Sequence, residues 1–323
     1  MSALLELRHV SRGFAVRRGL FDPRPASVKA VDDVDLALFP GETLGLVGES
    51  GCGKSTLARM SVGLLPPSSG EILLSGRPLT DWTPLERASR IQMVFQDPFS
   101  SLDPRQTVGS SIAEPLMLAE RAAGKALSRA ELRSRTESIL AKVGLQAEHI
   151  DRYPHEFSGG QRQRVAVARA LITSPGVLVC DEPVSALDAS VQAQTLNLLK
   201  DMQDSLGLSY LFISHDLGVI GFMSDRVAVM YLGRIVELAT REELFSQAAH
   251  PYTEALLAAA PSRDPSRRAE HRALSGEMPS PLAPPPGCSF HPRCPYAQAL
   301  CREQAPELRT LADGHAVRCH FPL

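Results

Sequence analysis

The chain reads as an α/β protein: a mostly parallel sheet flanked by helices, with an antiparallel β region before it, a helical region within it and a small Cys-rich extension after it. Three observations predict this. Short apolar runs at Thr43–Val47, Val177–Cys180, Tyr210–Ile213 and Val227–Met230 alternate with helical stretches, the pattern of strands buried on both faces of a parallel sheet. One run leads directly into a glycine-rich loop and another ends on two adjacent acids, which sets polar chemistry at the carboxyl ends of strands. Four of the six cysteines crowd into the last 36 of 323 residues, beyond a proline-rich break.

Each element has its own reason. Leu5–Val10 and Val34–Leu38 alternate apolar with polar residues and read as half-buried antiparallel strands. The turn formers in 17–25 place a surface loop between them. Thr43–Val47 reads as a central strand, a helix begins near Lys54, and Glu71–Leu74 and Ile91–Phe95 read as further strands. From about 105 to 175 the pattern is helical, and Ser128 with Glu131 supplies a capping box ahead of Leu132, Ile139, Leu140 and Val143. Val191–Leu206 reads as a helix between strands. The stretch Pro279–Gly287 continues neither helix nor central strand, which puts a boundary near 250–285. The expected division is 1–250 with a helical subdomain at about 97–175, then 251–323.

Lys and Arg total 34 against 36 Asp and Glu, a net charge of −2, so no general basic field draws this chain to nucleic acid. The N-terminus lacks the features of a secretory signal, and no apolar run approaches the roughly 18–20 residues that cross a bilayer. The expectation is a chain that does not span a membrane by itself and keeps its thiols reduced, so the tail cysteines read as a metal site rather than disulfides.

Three motifs carry chemistry. Gly48-Glu49-Ser50-Gly51-Cys52-Gly53-Lys54-Ser55-Thr56 matches the phosphate-loop pattern and follows a strand. Its glycines let backbone N–H groups wrap a polyphosphate, and the helix behind it points a positive dipole end at the anion. Lys54 would neutralise the β- and γ-phosphates of ATP and the Ser55 hydroxyl would ligate Mg²⁺. Asp181 and Glu182 close an apolar strand about 130 residues later; Asp181 would hold Mg²⁺ through water, and Glu182 would act as general base on the attacking water. Ser158-Gly159-Gly160-Gln161 enters a helix and makes a second anion-binding terminus. One nucleotide should not need two cradles from one chain, so this loop is expected to face nucleotide held by another copy or a sister subunit.

These residues together resemble the ABC ATPase family, over at least residues 4–240. The family signature Leu-Ser-Gly-Gly-Gln appears here with Phe157 in place of Leu. The resemblance implies a P-loop ABC ATPase fold and a head-to-tail dimer with two composite ATP sites. It implies that Gln96 senses Mg²⁺ and contacts a membrane subunit, that Asp188 signals between sites, that His215 contacts γ-phosphate, and that Phe14 lies against adenine. With no coiled-coil or zinc insert and one set of motifs, a transport ATPase is the expected kind, with a soluble non-transport ABC ATPase as the alternative.

The tail resembles the C-terminal extension of oligopeptide and dipeptide importer ATPases, through His250-Pro251-Tyr252-Thr253 and Gly287–Pro295 followed by Cys301, Pro306, Cys319 and His320. The segment around Gly19-Leu20-Phe21 looks like the F-type subunit, which pairs with a D-type ATPase. The resemblance implies two integral membrane permease subunits, an extracytoplasmic solute-binding protein acting through them, and a peripheral place on the cytoplasmic face of the inner membrane. Nickel and glutathione importers share much of this extension. Cys288, Cys294, Cys301 and Cys319 are spaced C-x5-C-x6-C-x17-C, wider than common structural zinc sites. A [4Fe–4S] cluster is favoured over Zn²⁺. Mixed ligation with His291, His315 or His320 stays open, as does a set of reduced, buried thiols.

Overall fold

Two sheets carry the fold, in a computed structural model that describes residues 2–17, 25–97, 101–259, 276–311 and 314–323. Of the surface loop expected at 17–25, residues 18–24, with Gly19–Phe21, fall outside the described residues, while Arg17 and Pro25 pair as strand ends. The strands are β1 (Leu5–Arg17), β2 (Pro25–Leu38), β3 (Thr43–Val47), β4 (Ser69–Leu74), β5 (Arg77–Pro78), β6 (Ile91–Val94), β7 (Val177–Asp181), β8 (Ser209–Ile213), β9 (Arg226–Tyr231), β10 (Arg234–Thr240), β11 (Arg309–Thr310) and β12 (Ala316–Val317). The smaller sheet is antiparallel in the order β2-β1-β4-β5, and the larger runs β11-β12-β10-β9-β3-β8-β7-β6. In the larger sheet β9, β3, β8, β7 and β6 are parallel, while β10, β12 and β11 extend one edge in antiparallel fashion.

Burial on both faces explains why the central strands read as continuous apolar runs. Tyr210 and Phe212 of β8 enter one core while Leu211 and Ile213 enter the other. On β7, Leu178 and Cys180 separate in the same way from Val177 and Val179. With side chains alternating across the sheet, no position is left for a polar residue until the strand ends. The antiparallel sheet differs: Leu5 and Leu7 of β1 are buried, whereas Glu6 and Arg8 pair with each other on the outer face. Half-burial is what produced the alternation in the sequence.

The helical region comprises 108–122, 129–142 and 159–171. The second of these starts where the sequence placed it. Ser128 Oγ accepts from the Glu131 N–H at 3.2 Å, and Glu131 accepts from the Ser128 N–H at 2.7 Å, satisfying two orphan donors; such caps contribute about 1 kcal/mol.

The tail is built into the main body. Strand β12 pairs with β10, joining Glu237 to Val317 and Leu238 to Ala316. Tyr252 and Phe290 lie in the same core as Tyr231, with ring centroids 4.6 Å (Tyr231–Tyr252) and 5.4 Å (Tyr252–Phe290) apart. Glu237, with no solvent exposure, accepts from the N–H groups of Ala249 at 2.6 Å and His250 at 3.0 Å, and its carboxylate is 2.6 Å from His315 Nε2. A buried carboxylate is tolerable only with such donors. Among the described residues, no helix is long and apolar enough to cross a membrane.

Candidate nucleotide site

The glycine loop follows β3, whose place between β8 and β9 makes it the strand where connections diverge to either side. Gly48 and Gly53 are required by contact. A Cβ at Gly48 would lie 2.2 Å from the Met230 carbonyl oxygen, and one at Gly53 2.0 Å from that of Ala30; their φ angles are 155° and 114°. Ser50 and Gly51 are exposed at the crest of the loop, and Cys52 is buried beneath it, where burial pushes its thiol up. The helix Lys54–Ser61 starts without a side-chain cap, with Thr56 in its first turn. Its first N–H groups therefore lack the partner that a capping side chain would give them. Lys54 is buried, and its Nζ donates to the carbonyls of Gly48 at 2.7 Å and Glu49 at 3.0 Å.

Other strand ends supply the acids. Asp181, last residue of β7, accepts from the Ser55 hydroxyl at 3.0 Å, bringing together two groups 126 positions apart. Burial raises the Asp181 carboxyl above its ordinary value, the Ser55 hydrogen bond works against this, and the neighbouring Glu182 charge adds to the rise. This hydroxyl–carboxylate pair is an all-oxygen donor set of the kind Mg²⁺ takes. Glu182 turns away from the strand with φ 48°, a left-handed conformation uncommon for a residue with a side chain. Its Oε2 accepts from Gln96 Nε2 at 3.0 Å and lies 3.2 Å from His215 Nδ1. Gln96 follows β6 and His215 follows β8, so one carboxylate gathers residues from three strand ends.

Ser158 caps the helix Gly159–Leu171, accepting from Gln161 N–H at 3.3 Å, while Gln161 Oε1 accepts from Ser158 N–H at 3.0 Å. A Cβ on Gly160 would lie 2.3 Å from Val191, so only glycine fits against that helix. Asp188 caps the helix of Val191, accepting from the N–H groups of Ser190 and Val191, and the Ser190 hydroxyl bond leads the causes that hold its carboxyl below the usual range. Ser158, Gly160 and Gln161 line an open cavity with His149, Arg164 and Gln194; among its described lining residues none belongs to 48–56. The chain thus presents two separate glycine-bearing helix N-termini. Phe157 is buried, edge-to-face with His149 at 5.3 Å, which is how a larger side chain is housed there. Phe14 lies half-exposed on β1 with the Arg12 guanidinium 5.1 Å from its ring centre.

In the tail, Cys288, Cys294, Cys301 and Cys319 line one small pocket with His250, His291 and His320. All are free thiols. Burial pushes Cys288 up to about 11 and raises Cys294 and Cys319 as well. Among the described residues, the side chains set within 4.8 Å of one another as a metal would need are instead the exposed His9, Asp33 and Asp35. The four cysteine sulfurs are not among them. Nor does every nearby histidine face the pocket: His315, whose Nε2 is 2.6 Å from the Glu237 carboxylate, is not among the residues that line it. Sequence reasoning missed Glu49, Tyr252 and Arg293, which meet at the glycine loop. The tail motifs containing Tyr252 and Arg293 were visible, but not what they touch.

A glycine loop opening a helix after a parallel strand, with acids at the end of the next strand but one, defines a P-loop nucleotide hydrolase. The ABC transporter family profile matches residues 31–185, and that of the oligopeptide/dipeptide transporter C-terminal region matches residues 236–301. The chain is 49% identical to the oligopeptide transport ATP-binding protein AppF of Bacillus subtilis, covering 98% of this chain and 97% of that one. It is 50% identical to the dipeptide transport ATP-binding protein DppF of Haemophilus influenzae, covering 98% and 96%. Among solved structures, the dimeric post-hydrolysis ATP-binding cassette MJ0796 bound to ADP and Pi matches with a TM-score of 0.65 at 27% identity, over 73% of this chain and 98% of that one. This chain belongs to the ABC transporter ATP-binding family, and it is an ATPase of that family.

Proposed function

We propose that this chain drives the import of di- or oligopeptides by hydrolysing ATP on the cytoplasmic face of the inner membrane. The observation that carries this reading is similarity over 98% of the chain, tail included, to peptide transport ATP-binding proteins. The chain works with a second ATPase subunit of D type, two membrane permeases and, through them, an extracytoplasmic binding protein. Nucleic acid has no part in it.

The residues divide the work. Backbone N–H groups of Gly48–Thr56, including those of Ser50, Gly51, Cys52 and Gly53, and the Lys54 ammonium hold the phosphates, and Phe14 lies against the adenine. Ser55, Asp181 and Gln96 would hold Mg²⁺, which would supply Lewis-acid polarisation of the phosphate oxygens. Glu182 accepts a proton from the attacking water, and its contacts with Gln96 and His215 keep Oε2 pointed into the site. Ser158, Gly159, Gly160 and Gln161 of the partner cover the γ-phosphate from the other side, and Asp188, capping the helix packed on Gly160, carries the state of one site to the other. Convergence of the four tail thiols on one pocket is the ground for proposing a [4Fe–4S] ligand set, with Zn²⁺ as the alternative, that would staple the tail.

The test is reconstitution of the full complex in proteoliposomes, with ATPase activity read against binding protein loaded with peptide, nickel or glutathione. Stimulation by the peptide-loaded form is expected. Stimulation by nickel or glutathione alone, or by RNA without membranes, would reject the reading.

A further inference from the structure

The tail reaches the phosphate loop through one buried fork. Arg293, with a side chain only 4% exposed, places Nη1 2.6 Å and Nη2 3.0 Å from the two carboxylate oxygens of Glu49, across 244 positions of sequence. Glu49 is the second residue of the loop. Its N–H donates to the Tyr252 hydroxyl at 3.0 Å, and its carbonyl accepts from Lys54 Nζ at 3.0 Å. Met278 adds a contact, its methyl 3.7 Å from where a Cβ on Gly51 would stand. Arg293 is itself held: its N–H donates to the Phe290 carbonyl at 3.0 Å, and Phe290 packs on both Tyr231 and Tyr252.

Two physical consequences follow from this contact. A carboxylate at the second position of a polyanion-binding loop opposes its ligand, and an Arg fork cancels that charge while fixing its plane. A loop with glycines at φ 155°, 83° and 114° also has many conformations to lose, and anchoring Glu49 beforehand lowers the ordering cost of binding. We propose that Arg293 is a positioning residue for nucleotide binding: through Glu49, the C-terminal cysteine module presets the phosphate loop, so module integrity and nucleotide affinity are coupled. This rests on the reading of 48–56 as the phosphate loop. Coupling is reciprocal, so filling the loop tightens the module.

The test uses the full chain, N-methylanthraniloyl-ATP with Mg²⁺, and four variants: Arg293→Met, Glu49→Gln, their combination, and Lys54→Ala. Arg293→Met, which strands a carboxylate beside the phosphates, should weaken binding at least about fivefold, the lower end of ordinary coupling. Adding Glu49→Gln to it should recover the part of that loss due to the uncancelled carboxylate, a rescue that a merely structural role would not give, and leave the part due to the lost anchor. Hydrogen exchange of residues 288–303 should slow when nucleotide is added to the wild type. If Arg293→Met binds like wild type while Lys54→Ala does not, the coupling is wrong and the loop reading stands. If Lys54→Ala also binds like wild type, the loop reading falls and takes the coupling with it. Should Arg293→Met fail to fold, the wild-type exchange decides alone: no slowing overturns the proposal.

Discussion

Replacing Glu182 by Gln removes a base and almost nothing else. The amide has the shape of the carboxylate, so its oxygen keeps the bond from Gln96, now 3.0 Å, as a neutral bond instead of a charge-assisted one. That exchange costs about 1 kcal/mol, the difference between charged and neutral hydrogen bonds. The chain should therefore stay folded. Nucleotide affinity should hold or rise, because a negative charge leaves the neighbourhood of the γ-phosphate. Turnover is another matter: a positioned general base contributes about 10²–10⁴ in rate, or roughly 2.7–5.4 kcal/mol at 1.36 kcal/mol per factor of ten. The assay is phosphate release under saturating ATP, with affinity measured in parallel by nucleotide fluorescence and dimer formation by light scattering. Tight binding, a lasting dimer and turnover down by at least about a hundredfold are expected. Turnover within about threefold of wild type, where a base is worth no less than a hundredfold, would refute the role given to Glu182.

His250 is buried and burial pushes its ring down to about 3, from 6.5. Between those values the unfolded chain binds a proton that the folded chain does not, so stability is full above 6.5 and falls as pH drops, by about 1.4 kcal/mol per unit. Urea unfolding at about pH 7 and about pH 5.5 should show this slope in the wild type and lose it in His250→Asn, which keeps an acceptor for the Tyr252 N–H. Glu237→Ala strands the N–H groups of Ala249 and His250 as well as His315, and should cost about 3–5 kcal/mol in denaturant unfolding, with Glu237→Gln costing less. Phe157→Leu should change stability by less than about 1.5 kcal/mol and leave ATP turnover intact, since the side chain serves packing against His149.

The elements that build the candidate site were legible because local chemistry dictates them. Gly48 and Gly53 stand where any Cβ would strike a carbonyl, Ser128 and Glu131 announce a helix start, and strands buried on both faces leave unbroken apolar runs. What the sequence hid depends on long-range meetings. Strands β11 and β12 are two residues each, too short to show a period, yet they complete the edge of the main sheet. His315 reads as a candidate ligand beside the cysteines, but it contacts Glu237, 78 positions away, and does not line their pocket. The positive φ of Glu182 leaves no mark on the composition around it, and the Arg293–Glu49 fork joins residues from opposite ends of the chain.

The claim on which everything else depends is that nucleotide is held between two protomers, because the phosphate loop and the helix start at 158–161 of one chain do not share a cavity. A structure of the ATP-bound Glu182→Gln dimer, determined at a resolution that places the phosphates, tests it most directly. The account predicts that Ser158 and the Gly160 N–H of one subunit lie within about 3 Å of the γ-phosphate held by the other subunit's Lys54. A closed, ATP-loaded dimer in which residues 158–161 face solvent would contradict it.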